Sequence, residues 1–240
     1  WPVVATFPVA AAVAVAAAWP LGLVSLRLRD DYFAIVSLGF SEVVRLVATS
    51  ERWLTNGVQG IAGIPRLFAD LSGTTQALAV LALLLVLNGL AILAMRRIVA
   101  SPFGRMIEAI RDNEGAVRAL GKDPTRFKIQ VLMLGAALAG VSGAVYAHYI
   151  GFIAPEQFVP LVTFQIWMAI VMGGVGRVSG ALVGSGLLML FLEGSRFLRD
   201  LLPFVSEVEM ASVRIGVVGL ALILFTLYRP QGLMGDFTRR

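Results

Sequence analysis

Charged residues inside the apolar stretches of this sequence are few, and two of the acids have a base three residues away. Glu42 precedes Arg45, and Glu193 precedes Arg196 at the same spacing. Side chains three apart share one helix face, so each pair can neutralise itself there. That matters because a single charge at mid-bilayer costs about 2.5–3.5 kcal/mol on insertion scales. Glu42 and Arg45 therefore read first as a structural pair and second as candidates for a translocation path. The one histidine, His148, lies between Tyr146 and Tyr149 near the end of an apolar run. Such aromatic-rich ends are usually interface anchors. An ion-coupled carrier buries acidic or histidine relays, and one such pair is thin provision for that chemistry.

A second cluster is made of glycine: Gly173, Gly174 and Gly176, then Gly180. It is one residue too long for a dinucleotide fingerprint, and no strand precedes it. It reads as a tight break between two short membrane helices, tolerated where protein or water covers the exposed backbone. Gly135, Gly140 and Gly143, and later Gly180, Gly184 and Gly186, are expected to let helices approach closely. The chain has no P-loop, no H-E-x-x-H, no G-x-S-x-G and no cysteine. It therefore binds no ATP by a P-loop and offers no evident nucleophile or metal cluster. It reads as a transport subunit rather than an enzyme, with no cofactor of its own.

The elements that must position these residues are membrane spans. Of 240 residues 58% are hydrophobic and only 15% charged. A water-soluble domain carries about 25% charged residues, and a fold of this size cannot hide so much apolar surface. About seven spans are expected: Trp1 to Leu26 with a kink at Pro20, Tyr32 to Ala48, Gln76 to Met95, Ile129 to Ile150, Leu161 to Gly174, Ala181 to Leu198 and Val213 to Tyr228. The fold class is all-α, a polytopic transmembrane bundle. The chain opens Trp1-Pro2 in an apolar run, as a sequence missing its true N-terminus would.

The net charge of +5 does not indicate nucleic acid, because the basic residues sit between spans. The stretch 96–128 holds Arg96, Arg97, Arg105, Arg111, Arg118, Lys122, Arg126 and Lys128. Placing it in the cytoplasm and alternating the spans puts fourteen of the twenty basic residues inside, as the positive-inside rule demands. The C-terminus is then cytoplasmic too.

That cytoplasmic stretch has its own pattern. Ser101-Pro102 is an N-cap followed by proline at the first helical position. Phe103, Met106, Ile107, Ile110, Val117 and Leu120 then recur at three- and four-residue steps, which predicts one amphipathic helix of about five turns. Gly121 suits its C-terminal cap, and Asp123-Pro124 restarts a helix leading into the fourth span. The apolar stripe has three available uses: the lipid interface, the protein's own inner face, or a groove on a soluble partner. Glu108, Asp112, Glu114 and Asp123 offset half the basic charge, which argues against a pure lipid anchor.

Several stretches resemble one known family, the M-type permease subunits of branched-chain amino acid ABC transporters. They are Leu26 to Glu42; Thr55-Asn56-Gly57 through Gly60 to Pro65; Ser101 to Arg105 with Ala109 to Glu114 and Ala119 to Gly121; Tyr146 to Tyr149; Gly173 to Gly176; and Arg229 to Gly235. The order is the family's and covers nearly the whole chain, and the family's first one or two spans are the part expected to be missing from it. Asp30 stands where the family usually has glycine. Glu114-Gly115-Ala116 with Gly121 only loosely echoes the ABC-permease pattern E-A-A-x-x-x-G, the glycine coming one residue late.

The resemblance implies residues 1–240 as one permease domain, with 101–123 as its cytoplasmic coupling loop in a bacterial plasma membrane. A homologous second permease, two cytoplasmic ATPases carrying ATP and Mg, and a periplasmic binding protein would be its partners. The cargo would be Leu, Ile or Val. Contacts to the ATPases would come from Arg105, Ala109, Ile110, Arg111, Asp112, Asn113, Ala116, Val117, Leu120 and Gly121. Helix ends at Gly173, Gly174 and Gly176, with Glu42 and Arg45, are the candidate path. Urea, short amides or another small polar solute is the alternative cargo, and an ion-coupled secondary carrier the less favoured class.

Overall fold

In a computed structural model the described residues are 3–25, 30–201, 216, 219–220, 223–224, 227–228 and 232–234. The predicted seventh span falls largely outside them. So do Arg27, Arg29, Arg214, Arg229, Arg239 and Arg240, and so do the side chains of Arg196 and Arg199. Among the described residues five helices are long and apolar enough to cross a membrane, and a shorter apolar helix spans Val178–Gly194. The chain is a polytopic helical membrane protein.

The elements follow in order: α1 (Val3–Ser25), α2 (Asp30–Ser50), α3 (Arg52–Thr55), a 3₁₀ turn (Gly57–Gln59), β1 (Ile61–Ala62), α4 (Gly73–Ala100), α5 (Pro102–Asp112), α6 (Glu114–Ala119), α7 (Pro124–Ile150), β2 (Phe152–Ile153), a second 3₁₀ turn (Pro155–Gln157), α8 (Pro160–Gly173) and α9 (Val178–Leu201). They form two units, residues 1–158 and 159–240.

In the first unit α1 and α7 pack antiparallel. A Cβ on Gly140 would meet the Ala10 carbonyl and the Ala14 side chain, while Gly22 lies against Ile129 and Leu132. Close approach through small residues is how membrane helices associate without a hydrophobic drive between them. The expectation for glycine holds at Gly140 but not at Gly135, Gly143 or, in α9, Gly186, where a Cβ would meet nothing. Both Pro8 and Pro20 sit inside α1.

At the C-terminal end of α7 the chain forms a small cap. Gly151 closes the helix in the left-handed region at φ 78°, and β2 then pairs antiparallel with β1, Ile61 opposite Ile153. Two-residue strands carry no alternation, so the sequence does not announce them. His148 is buried beneath this cap rather than anchored at the interface. Its Nδ1 lies 2.7 Å from the Pro65 carbonyl and donates to it. Its Nε2 lies 2.9 Å from the Thr6 hydroxyl. The flanking Tyr146 and Tyr149 are exposed, as an interface position requires.

In the second unit α8 and α9 form a hairpin around buried Met168, Ala169 and Leu188. A Cβ on Gly173 would strike the Gly180 carbonyl, and one on Gly184 the Ala169 carbonyl. The glycine cluster is thus the predicted break between two membrane helices, with Gly174 and Gly176 at positive φ.

Candidate coupling surface

Between α4 and α7 the chain leaves the spans and makes two short helices. The Ser101 side chain accepts from the Gly104 backbone N–H, and Pro102 takes the first helical position. Gly104 is buried, and a Cβ there would strike the carbonyls of Ile98 and Val99 at the end of α4. Only glycine lets α5 fold back so tightly. This determinant lay inside the motif region but its role was not legible from spacing alone.

The expected five-turn helix is in fact two. Asn113 adopts an extended conformation, φ −157° and ψ 94°, ending α5 and capping α6, its side chain accepting from the Ala116 backbone N–H at 3.0 Å. The break leaves the seven-residue step from Ile110 to Val117 intact, so periodicity runs through it unchanged. The sequence did hold a signal: Asn followed by Glu is a helix start. At the far end Lys122 N–H reaches the Val117 carbonyl and Gly121 N–H the Arg118 carbonyl. With Gly121 at φ 74° this is the Schellman cap that the glycine predicted.

The apolar stripe packs on the protein itself. Ile110 and Val117 are 7% and 3% exposed, and Phe103 meets Phe127 of α7 with ring centroids 5.8 Å apart. Leu120, assigned to the same stripe, is 80% exposed. The helix has ended by then, and Leu120 points away with the cap. The polar faces supply the remaining surface: Arg105, Ala109, Arg111, Asp112, Asn113, Ala116 and Gly121 are all exposed.

Charge then ties this segment to a span. Glu114 accepts from Lys128 of α7 at 2.8 Å and from Arg118 at 2.7 Å. The Lys128 hydrogen bond holds the Glu114 carboxyl below its ordinary value. Partial burial opposes this, and the charges of Lys128 and Arg118 reinforce it. Arg111 and Asp112 pair at 3.0 Å with both side chains exposed, and such a pair contributes little. Asp123 caps α7 from Thr125 N–H at 3.0 Å, and Pro124 behind it is fully buried. The result is a polar surface whose underside is fastened to α4 by backbone and to α7 by packing and an ion pair. It has no catalytic constellation. It is suited to being gripped and moved.

The other candidates lie elsewhere. Glu42 and Arg45 do pair on one face of α2, with Arg45 Nε 2.9 Å from Glu42 Oε2 and Nη2 on the other carboxylate oxygen. Gly173 and Gly174 face backbone of their own unit: Leu233 N–H bonds the Met172 carbonyl and Met234 N–H that of Gly173, both at 2.9 Å, and Gly232 lies against Gly174. Gly176 is exposed in the turn.

The sequence profile described as branched-chain amino acid transport system / permease component matches residues 1–226. The chain belongs to this family. It is 33% identical to the high-affinity branched-chain amino acid transport system permease protein LivM of Salmonella typhimurium, over 95% of this chain and 56% of that one. The probable LivM of Methanocaldococcus jannaschii is 28% identical over 89% and 63%. The autoinducer 2 import system permease protein LsrC of Klebsiella pneumoniae is 30% identical over 71% and 47%. The chain therefore spans roughly half to two thirds of the length of the curated relatives it matches. No solved structure matches it. Membership in a permease family agrees with the membrane architecture and with the resemblance read from the motifs.

Proposed function

We propose that this chain is a membrane-spanning subunit of an ATP-driven importer of branched-chain amino acids in a bacterial plasma membrane. Partner ATPases hydrolyse the nucleotide and grip the exposed side of α5 and α6 from the cytoplasm. A second permease completes the pathway, and a periplasmic binding protein delivers Leu, Ile or Val. One observation carries the reading: a doubly capped helical surface, fixed beneath to α4 and α7, presents a mostly polar side with Leu120 at its edge. Motion imposed there reaches two spans without bending the segment between them. The excess of basic residues on the same side favours the cytoplasmic placement, and the C-terminus then shares it.

The test is reconstitution of the full transporter in proteoliposomes with labelled leucine. ATP-dependent uptake is expected, lost when Arg105 and Arg111 are both changed to Glu, with the ATPases no longer co-purifying. Uptake without any ATPase subunit would defeat the reading. A second cargo class, another small polar solute such as urea or a short amide, keeps the same architecture. It is favoured by the similarity to an autoinducer 2 import permease. Competition of labelled leucine uptake by such solutes separates the two.

A further inference from the structure

A cleft of about 880 Å³ opens beside the junction of α4, α5 and α7. Its side walls come from α1, at Trp19 among others, and from α7 between Arg126 and Ala137. The eleven steps between them run about 16 Å at 1.5 Å per residue, close to half of a hydrocarbon core about 30 Å thick. The cleft therefore has the depth of one leaflet. Its lining is graded. Ser101, Arg126 and Gln130 stand at one end, and Met133, Leu134 and Ala137 line the other. A water-soluble solute has no use for such a gradient, but an amphiphile matches it.

Among the described residues that line the cleft, Arg126 alone is charged. Arg126 is 83% exposed and touches only one acid, Asp123, at 3.4 Å. Arg126 thus stands at the polar end of the cleft with one carboxylate beside it. Basic pockets between membrane helices on the cytoplasmic side select anionic headgroups.

We propose that this cleft holds an acyl chain of an anionic phospholipid, its phosphate on Arg126. The chain would lie against Phe103, at the base of the coupling surface. The inference rests on the cytoplasmic placement of residues 96–128 proposed above and holds whatever the cargo.

The test uses the whole transporter in detergent, with native mass spectrometry after exposure to phosphatidylglycerol or to phosphatidylcholine of the same acyl composition. Preferential retention of phosphatidylglycerol is expected. Arg126→Gln should lower that retention roughly fivefold, the effect of one cation at an anionic surface, and leave phosphatidylcholine unaffected. Ala137→Trp plugs the deep end, keeps Arg126, and should lower retention of both. A photo-crosslinking residue at Met133 should capture lipid. Equal retention of the two lipids, indifference to Arg126→Gln, or crosslinking from Met133 to polypeptide would each overturn the proposal, the last by showing that a helix fills the cleft.

Discussion

The two ends of α7 are finished by different physics. At its N-terminus side chains do the holding: Asp123 caps the helix, Lys128 reaches Glu114, and Phe127 meets Phe103. At its C-terminus the main chain does most of it: Gly151 turns the helix into β2, β2 pairs with β1, and His148 clamps the Pro65 carbonyl. The first arrangement leaves a broad polar surface exposed, and the second closes a cap over a buried imidazole. A face held together from beneath by side chains can vary its outer residues freely. A cap held by backbone bonds cannot shift without breaking them, since buried main-chain groups must stay paired. The contrast suits a moving attachment at one end and a rigid seal at the other.

Five changes would break or sharpen this contrast. The largest effect is expected from Ile110→Asp, which buries a carboxylate beneath the coupling surface. Loss of folded protein from the membrane, with a cost of several kcal/mol, should appear as failure to accumulate on blots of membrane fractions. Val117→Asp should behave alike. If either variant inserts and melts normally, the underside is not sealed. His148→Leu comes next, leaving the Pro65 carbonyl and the Thr6 hydroxyl without their ring partner. A loss of about 1–3 kcal/mol is expected, read as a lower melting temperature in detergent with ATPase retention unchanged.

Glu114→Gln removes a partly exposed ion pair and should cost no more than about 1 kcal/mol after solvent screening. Its pH dependence has a definite sign. The folded carboxyl titrates below its ordinary value of 4.5. Its stabilisation is therefore fully present above that value and fades as the pH falls through the lowered one. Melting curves of the native protein should lose this increment between pH 5 and lower values, to the extent of roughly that 1 kcal/mol, and the Gln variant should not. The smallest structural effect belongs to Leu120→Asp, within about 0.5 kcal/mol because the side chain is already in solvent. Co-purification of ATPase subunits should nonetheless fall. Unchanged co-purification together with normal uptake would move the attachment away from this cap.

The sequence made the spans legible because their only requirement is length and apolarity. Tyr32 to Ala48 became Asp30–Ser50, and Gln76 to Met95 became Gly73–Ala100, each growing only at its polar ends. Caps were legible for the same local reason: Ser101, Gly121 and Asp123 stand where predicted. The direction of the stripe was not, because periodicity says which residues share a face and not what that face meets. Nor was the role of His148, whose partners lie 83 and 142 residues away in sequence. No local pattern encodes such a contact. The break at Asn113 was written in the sequence but masked by a repeat that continued across it.

Because Ile110 and Val117 turn inward while Arg105, Ala109, Asp112 and Ala116 turn outward, scaffold and recognition are carried by separate sets of side chains on the same short helices. On the function proposed above, pairing this permease with a foreign ATPase is then a matter of rewriting a handful of outward positions. Gly104 and the inward pair would stay untouched, so a chimera grafted face by face should survive where one grafted segment by segment would not.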